Sequence, residues 1–185
     1  MKQLRPPHLP RRVLLAAAAG LLATGPLRAQ ALPPSRDTLV KAAFLHKFAS
    51  FVEWPAGAFA QADSPLRIGI LGDDLVYRDL SELARDRDRD GHPVLVTRLA
   101  AGDALTGFHI LYLKAASPTR ISDLLATVPE GTLTVADSDG THPRGSVLSF
   151  YLDEGRVRFG VSLEAAARQK LRLSPKLVAI ARPMT

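Results

Sequence analysis

Cysteine is absent from this chain of 185 residues. The composition therefore excludes a disulfide framework, thiol chemistry and a lipid anchor on cysteine. Aromatic residues make up only 6% of the sequence and include a single tryptophan, Trp54. The fold must therefore be stabilised by packing alone, without covalent cross-links.

Acidic residues are absent from residues 1–31, which carry five basic residues. Residues 13–22 form a short apolar run, and Ala29-Gln30-Ala31 has the small residues that signal peptidase accepts. A run of about ten apolar residues is too short to cross roughly 30 Å of hydrocarbon. We therefore predict a secretory signal peptide cleaved near Ala31, and an exported domain of residues 32–185 without membrane insertion.

Excess positive charge is largely confined to this leader. The full chain has 24 Lys and Arg against 18 Asp and Glu, a formal net charge of +6. Without residues 1–31 the balance is 19 basic against 18 acidic residues, or +1. This balance is not typical of a nucleic-acid-binding protein, and we expect no nucleic acid partner.

Motifs that announce an enzyme or a metal site are also missing. The histidines after the leader, His46, His92, His109 and His142, are far apart and have no acidic neighbours at metal-ligand spacing. The chain contains no His-Glu-x-x-His, Gly-x-Ser-x-Gly or Ser-x-x-Lys motif. We predict a protein that is not an enzyme, with no catalytic residue, metal ligand or cofactor, and a hydrogen-bonded core role for His109.

The turn Gly72-Asp73-Asp74 follows a strand, which is where many α/β proteins bind a nucleotide. No Gly-x-Gly-x-x-Gly accompanies it, and its two carboxylates would repel a phosphate. We therefore interpret this turn as a helix cap with an exposed acid.

Apolar residues alternate between helical and strand spacing along the rest of the chain. The predicted order is helix 35–54, strand 66–71, helix 73–85, strands 93–98 and 109–113, helix 117–127, strand 131–135, a hairpin of 146–152 with 156–161, helix 162–169, and a helix from 174 that Pro183 follows. This order predicts an α/β fold, a single-domain sandwich of a mostly parallel sheet with an antiparallel C-terminal hairpin, flanked by helices.

The first helix carries the most informative pattern. Phe44, Phe48 and Phe51 recur at helical spacing and predict one apolar stripe. The opposite face holds His46, Lys47, Ser50 and Glu53. Because Pro55 disfavours helical geometry at the residue before it, the helix is expected to end at Trp54.

The segment Lys41–Pro55 resembles the opening helix of the YfiR-like family of small periplasmic proteins, whose members begin with an Ala-Ala-Phe-Leu…Phe…Phe-Val-Glu-Trp-Pro string. Phe108 stands where a cysteine is frequent in the family, so the disulfide-dependent redox sensing of some relatives is not expected here. Further segments resemble the family in the right order: Leu66–Asp74, Phe108–Leu113, Leu133–Asp137, Gly155–Phe159, Leu163–Ala166 and Leu171–Leu177.

The resemblance implies a periplasmic repressor that grips the periplasmic domain of an inner-membrane signalling protein, typically a diguanylate cyclase, and holds it inactive. The alternative is a periplasmic small-ligand-binding accessory protein for a histidine kinase or an outer-membrane receptor. The oligomeric state stays open between a monomer and a homodimer.

Five residues are candidate partner contacts. Glu53 and Trp54 lie at the predicted helix terminus, and Arg172, Ser174 and Lys176 lie around the start of the last helix. Tryptophan is enriched among the residues that dominate binding energy at interfaces. A buried structural role for Trp54 and simple helix capping by Ser174 are the competing interpretations.

Overall fold

The computed structural model describes residues 36–184 apart from 86, 89 and 139. The predicted signal peptide, its cleavage site and residue 35 of the first predicted helix lie outside the described residues. The helices are α1 Arg36–Phe48, α2 Asp74–Ala84, α3 Pro118–Leu125, α4 Leu163–Arg168 and α5 Pro175–Ile180. The strands are β1 Val52–Glu53, β2 Leu66–Leu71, β3 Val94–Leu99, β4 Ile110–Lys114, β5 Leu133–Asp137, β6 Leu148–Asp153, β7 Arg156–Val161, β8 Arg172–Leu173 and β9 Arg182–Pro183.

The main sheet has the strand order β3-β2-β4-β5-β6-β7-β9. Along this order, each neighbouring pair from β3 across to β6 is parallel. Strands β6 and β7 form an antiparallel hairpin, and β9 is parallel to β7. The predicted α/β fold with a mostly parallel sheet and an antiparallel hairpin is therefore confirmed. Because the chain places β3 on one side of β2 and β4 on the other, the winding of the sheet reverses between β2 and β4.

The larger core lies between the sheet and a layer that includes α1 and α2, and the smaller one lies beneath α3. The phenylalanine side chains of the predicted stripe pack in or against the larger core. Phe44 and Phe48 contact Phe150 and Phe159 of the hairpin, with ring centroids 5.1 to 6.1 Å apart across these four rings. Such offset and edge-to-face pairs add to the stability gained from burial.

Helix starts were predicted well because their caps are local. The side chains of Asp73, Ser117, Ser162 and Ser174 each accept a hydrogen bond from a backbone N–H in the first turn of the following helix. The hairpin turn is also confirmed. Glu154 and Gly155 both have positive φ, 47° and 70°, as the twist of a two-residue hairpin requires.

The prediction that the first helix reaches Trp54 is wrong. The α-helix ends at Phe48, a short 3₁₀ turn covers Ala49–Phe51, and Val52–Glu53 is extended. Strand pairing with β8 satisfies backbone groups here, which compensates for the lost helical hydrogen bonds.

His46, on the face opposite the phenylalanine stripe, is also buried, since it is only 3% exposed. Helix α1 packs against both α2 and β7, so its buried surface is wider than one stripe. The C-terminal segment differs from the prediction as well, because Arg182 and Pro183 pair with Gly160 and Val161 at the sheet edge. Proline is tolerated at such an edge.

Candidate functional site

Strands β1 and β8 form a separate two-stranded antiparallel sheet, which we call the ribbon. Val52 pairs with Leu173, and both side chains pack on the larger core. Glu53 pairs with Arg172, and these two side chains are 78% and 87% exposed. The Arg172 Nη1 lies 4.0 Å from a Glu53 carboxylate oxygen. An ion pair this long and this exposed contributes little stability, so both charges remain accessible to a partner.

Ser174 continues directly from the ribbon. Its backbone N–H donates to the carbonyl oxygen of Phe51 over 2.8 Å, which ties the ribbon to the end of the 3₁₀ turn. Its Oγ accepts from the backbone N–H of Lys176 at 3.3 Å and caps α5. The capping interpretation thus describes Ser174 correctly, while Lys176 is exposed beside the ribbon.

Trp54 follows the ribbon and is half-buried. One part packs against the larger core. Its ring also meets Phe59 and His109 edge-on, with centroids 6.3 and 5.7 Å apart and interplanar angles of 89° and 81°. Trp54 therefore directly follows Glu53 in the chain, has packing contacts with the core, Phe59 and His109, and keeps part of its side chain accessible to solvent.

An aromatic stack lies beneath Trp54 and was not predicted. The Phe59 ring lies between the rings of His92 and His109, with centroids 4.0 and 4.2 Å apart and interplanar angles of 16° and 12°. His92 lies shortly before β3, and His109 directly precedes β4. Because the amino ends of parallel strands lie at one edge of a sheet, the positions of His92 and His109 just before two strands could have indicated that both lie at this edge.

His109 has both ring nitrogens engaged, as predicted for a core histidine. Its Nδ1 accepts from the backbone N–H of Arg67 at 3.0 Å, and its Nε2 lies 3.0 Å from the carbonyl oxygen of Ala58. The ring therefore carries its proton on Nε2. Burial lowers the pKa of His109, and the charges of Arg67 and His92 lower it further against the opposing hydrogen bond to Ala58. The ring that His109 contributes to the stack is therefore a neutral imidazole.

The opposite edge of the sheet carries charge, in a set of five residues that we call the carboxyl-end network. Tyr112 donates its hydroxyl hydrogen to Asp137 over 2.5 Å. The Nζ of Lys41 lies 2.6 Å from the same carboxylate oxygen. Beside them, the Nζ of Lys114 donates to Asp73 over 2.8 Å. Each carboxylate thus has its own lysine, and Tyr112 lies between them.

The environment of this network fixes its protonation. Burial and the neighbouring carboxylate of Asp137 raise the pKa of Tyr112 far above its ordinary value, so the phenol stays a neutral donor. Burial alone would raise the pKa of Asp73, but its bonds to Lys114 and to the first N–H groups of α2 outweigh that effect and lower it. The helix cap predicted for the Gly72-Asp73-Asp74 turn is confirmed, with Asp73 as the capping residue, and this carboxylate also pairs with Lys114.

Gly72 brings two strand ends together within this edge. Its φ is +86°, and a Cβ there would lie 2.0 Å from the carbonyl oxygen of Lys114. Only glycine permits this approach. One cavity of about 580 Å³ and another of about 600 Å³ lie at this contact, and both include Gly72, Asp74 and Lys114 in their walls.

Two further observations concern the described residues alone. Within residues 36–184, leaving aside the three gaps, no three histidine or acidic side chains are placed to hold a metal ion. Over the same part of the chain, no helix has both the length and the apolar character that a membrane span requires.

The fold defines a small α/β protein with a mostly parallel sheet. Its sequence places it more closely: the chain belongs to the YfiR/HmsC-like family, DUF4154, whose model matches residues 38–182. This family is periplasmic, and it is regulatory rather than catalytic. No curated protein shows detectable sequence similarity to the chain. The match to the family model confirms the resemblance inferred from the Lys41–Pro55 segment.

Proposed function

We propose that the protein is a periplasmic repressor that binds the periplasmic domain of an inner-membrane diguanylate cyclase and holds that enzyme inactive. Membership of the YfiR/HmsC-like family supports a regulator of cyclic-di-GMP signalling. The observation that carries the proposal to particular residues is the ribbon. It pairs Glu53 with Arg172 on a hydrogen-bonded frame, and Trp54 follows Glu53 directly in the chain.

The ribbon suits a partner surface for a physical reason. Its backbone is fixed by strand pairing and by the bond from Ser174 to Phe51. A surface that is already ordered loses less conformational entropy when it binds. Tryptophan and arginine are also the residues most often found to dominate interface energies. Recognition through a small anchor fits a mature chain whose net charge of +1 offers little general attraction.

Two variants, one directly after the ribbon strand β1 and one on β8, test this proposal in protein expressed from the full-length chain. We call them the ribbon variants. We expect Trp54→Ala and Arg172→Glu each to weaken co-purification with the cyclase's periplasmic domain by about tenfold or more. Arg172→Glu is the cleaner variant, because a residue 87% exposed can change without disturbing the core. The matched controls, Tyr151→Ala and Arg158→Glu, lie on the β6–β7 hairpin and should bind normally.

Two further measurements check export and regulation. The protein recovered with its partner should begin at Leu32 by mass spectrometry, since the leader pattern predicts cleavage after Ala31. Deleting the gene should raise cellular cyclic-di-GMP, because the cyclase loses its repressor. Normal cyclic-di-GMP in the deletion strain, or full binding by both ribbon variants, would contradict the proposal.

A second function rests on a different observation. The crevice where the winding of the sheet reverses is the usual ligand position in open α/β sheets, and two cavities lie there. It supports the alternative of a small-ligand-binding accessory protein for a histidine kinase or an outer-membrane receptor. A neighbouring gene for a membrane diguanylate cyclase would favour the repressor, and a neighbouring receptor or kinase gene would favour the accessory protein.

A further inference from the structure

The cavity of about 580 Å³ at the carboxyl ends of β2, β3 and β4 has no part in the proposed ribbon contact. It lies beside the reversal point of the sheet, and its volume falls within the roughly 300–1,000 Å³ of ordinary ligand pockets. The length of β2 separates it from the amino-end edge by roughly 17 Å. Its chemistry can therefore be examined independently of the ribbon.

The floor of this cavity is apolar. Leu71 and Leu99 come from the ends of β2 and β3 and are each 9% exposed. Ala115 follows β4, and Leu124 comes from α3. All four belong to the smaller core or pack against it. A ligand with an apolar body would therefore cover an apolar surface here and release the water that contacts it.

The rim of the cavity carries more positive than negative groups. Arg98 is neutralised by Asp74, which accepts two hydrogen bonds from its guanidinium at 2.6 and 2.7 Å. Lys114 is bound to Asp73 at 2.8 Å. The positive charges of Arg98 and Lys114 are therefore largely compensated by these carboxylates.

Arg120 is the exception on the rim. It is exposed, and its guanidinium has no hydrogen-bond or ion-pair partner among the residues that the structure describes. Its backbone N–H is bound by the Ser117 cap at 3.3 Å, which fixes it in the first turn of α3. That end of a helix favours a negative charge. The Asp103 carboxylate opposite is engaged by the backbone N–H of Ala100 at 2.8 Å.

We propose that this cavity binds a small organic carboxylate. The carboxylate pairs with the Arg120 guanidinium, whose planar fork matches it in two hydrogen bonds, and the apolar body lies on Leu71 and Leu99. Because Arg98 and Lys114 are already paired with Asp74 and Asp73, Arg120 is the rim cation left to pair with a single negative charge. Phosphate would bring a second negative charge toward Asp74 and leave the floor uncovered. The inference goes beyond the repressor proposal and stands or fails separately from it.

The test uses phenylpropionate as a probe, titrated into ¹⁵N-labelled protein purified from the periplasm. We expect saturable amide shifts confined to Ala100–Gly102, Lys114–Ala115 and the first turn of α3. Arg120→Gln should weaken binding by about tenfold or more, since a charge-assisted hydrogen bond is lost. Ala101→Glu, an exposed change in the cavity wall, should abolish binding by placing a carboxylate there. Arg158→Gln, on β7, should bind like the unaltered protein.

Two further probes define what the site recognises. Phenylpropionamide has the same body without the charge and should bind much more weakly, and inorganic phosphate should give no saturable shifts at these amides. Equal binding of the amide or of phosphate would overturn the assignment. So would unsaturable shifts, shifts outside the cavity, or an unchanged dissociation constant in both Arg120→Gln and Ala101→Glu.

Discussion

The two edges of the parallel sheet are built from different chemistry. At the amino ends of the strands, rings stack on one another and His109 is neutral. At the carboxyl ends, carboxylates and lysines pair around Tyr112. Helices α2 and α3 each begin just after a strand, so their free N–H groups collect at the carboxyl edge, where Asp73 is bound by α2. The direction of the strands therefore decides which edge can hold charge.

Removing Asp137 should break the carboxyl edge with the largest effect. Asp137→Ala leaves the Lys41 ammonium without its carboxylate in a site where these side chains are 12% and 9% exposed. It also removes the acceptor of the Tyr112 hydroxyl. We expect the free energy of unfolding to fall by roughly 3–5 kcal/mol in urea denaturation.

The control for this loss is Asp74→Ala. Asp74 also pairs with a cation, Arg98, but both side chains are more than 60% exposed. Its removal should change the free energy of unfolding by about 1 kcal/mol or less. Equal losses for the two variants would mean that burial does not distinguish these ion pairs.

A pair of glycines compares the two edges sterically. Gly72 at the carboxyl edge and Gly57 at the amino edge have φ values of +86° and +85°. The Cβ of Gly72→Ala would lie 2.0 Å from a backbone oxygen, whereas that of Gly57→Ala meets nothing within 4 Å. Gly72→Ala should lower the free energy of unfolding by roughly 2–3 kcal/mol through overpacking, and Gly57→Ala by about 1 kcal/mol through backbone strain alone. Thermal melts of the two proteins would show whether the close approach matters, and equal melting temperatures would show that it does not.

The amino edge should respond to pH with a smaller effect. Burial lowers the folded-state pKa of His109 and of His142 from the ordinary 6.5. The unfolded chain then binds protons that the folded chain does not, so the free energy of unfolding falls as the pH drops below about 6.5 and levels off below the folded-state pKa. His109→Asn keeps an acceptor for Arg67 and should reduce this slope in urea titrations from about pH 8 to about pH 5.

The matched variant for this measurement is His142→Asn, in the loop after β5. The Nδ1 of His142 lies 2.8 Å from the Oγ of Ser149, and His142 has no ring contact with the stack among the described residues. It should remove a separate part of the slope, and the double variant should remove both parts. A slope unchanged by either substitution would show that neither imidazole is responsible.

Much of this architecture could be predicted because its signals are local. The caps at Asp73 and Ser117, the strand at Leu66–Leu71 and the turn at Glu154-Gly155 each depend on residues within a few positions. The ribbon could not be predicted in this way. Its strands have two residues each and lie more than a hundred residues apart in the chain, so neither carries an apolar period of its own.

Local sequence patterns therefore explain only part of why the five candidate contact residues belong together. Glu53 and Trp54 were placed on a helix end, and only the pairing of Glu53 with Arg172 explains why they lie beside the second group. The carboxyl-end network was missed for another reason. Asp73 and Asp137 each occur where a strand ends, but the sequence does not show that β4, which carries Tyr112, lies between those strands.

The ribbon joins two segments that leave the ribosome at very different times. Residues 52–53 are synthesised before the whole main sheet up to β7, and residues 172–173 only after it. Bringing them together closes most of the domain into one loop, which is an entropic cost that only the folded core can offset. A chain interrupted before residue 172 would lack the second strand of the ribbon and the Ser174 bond to Phe51. The paired arrangement of Glu53 and Arg172 can therefore form only after residues 172–173 have been synthesised and the core between the two segments has folded.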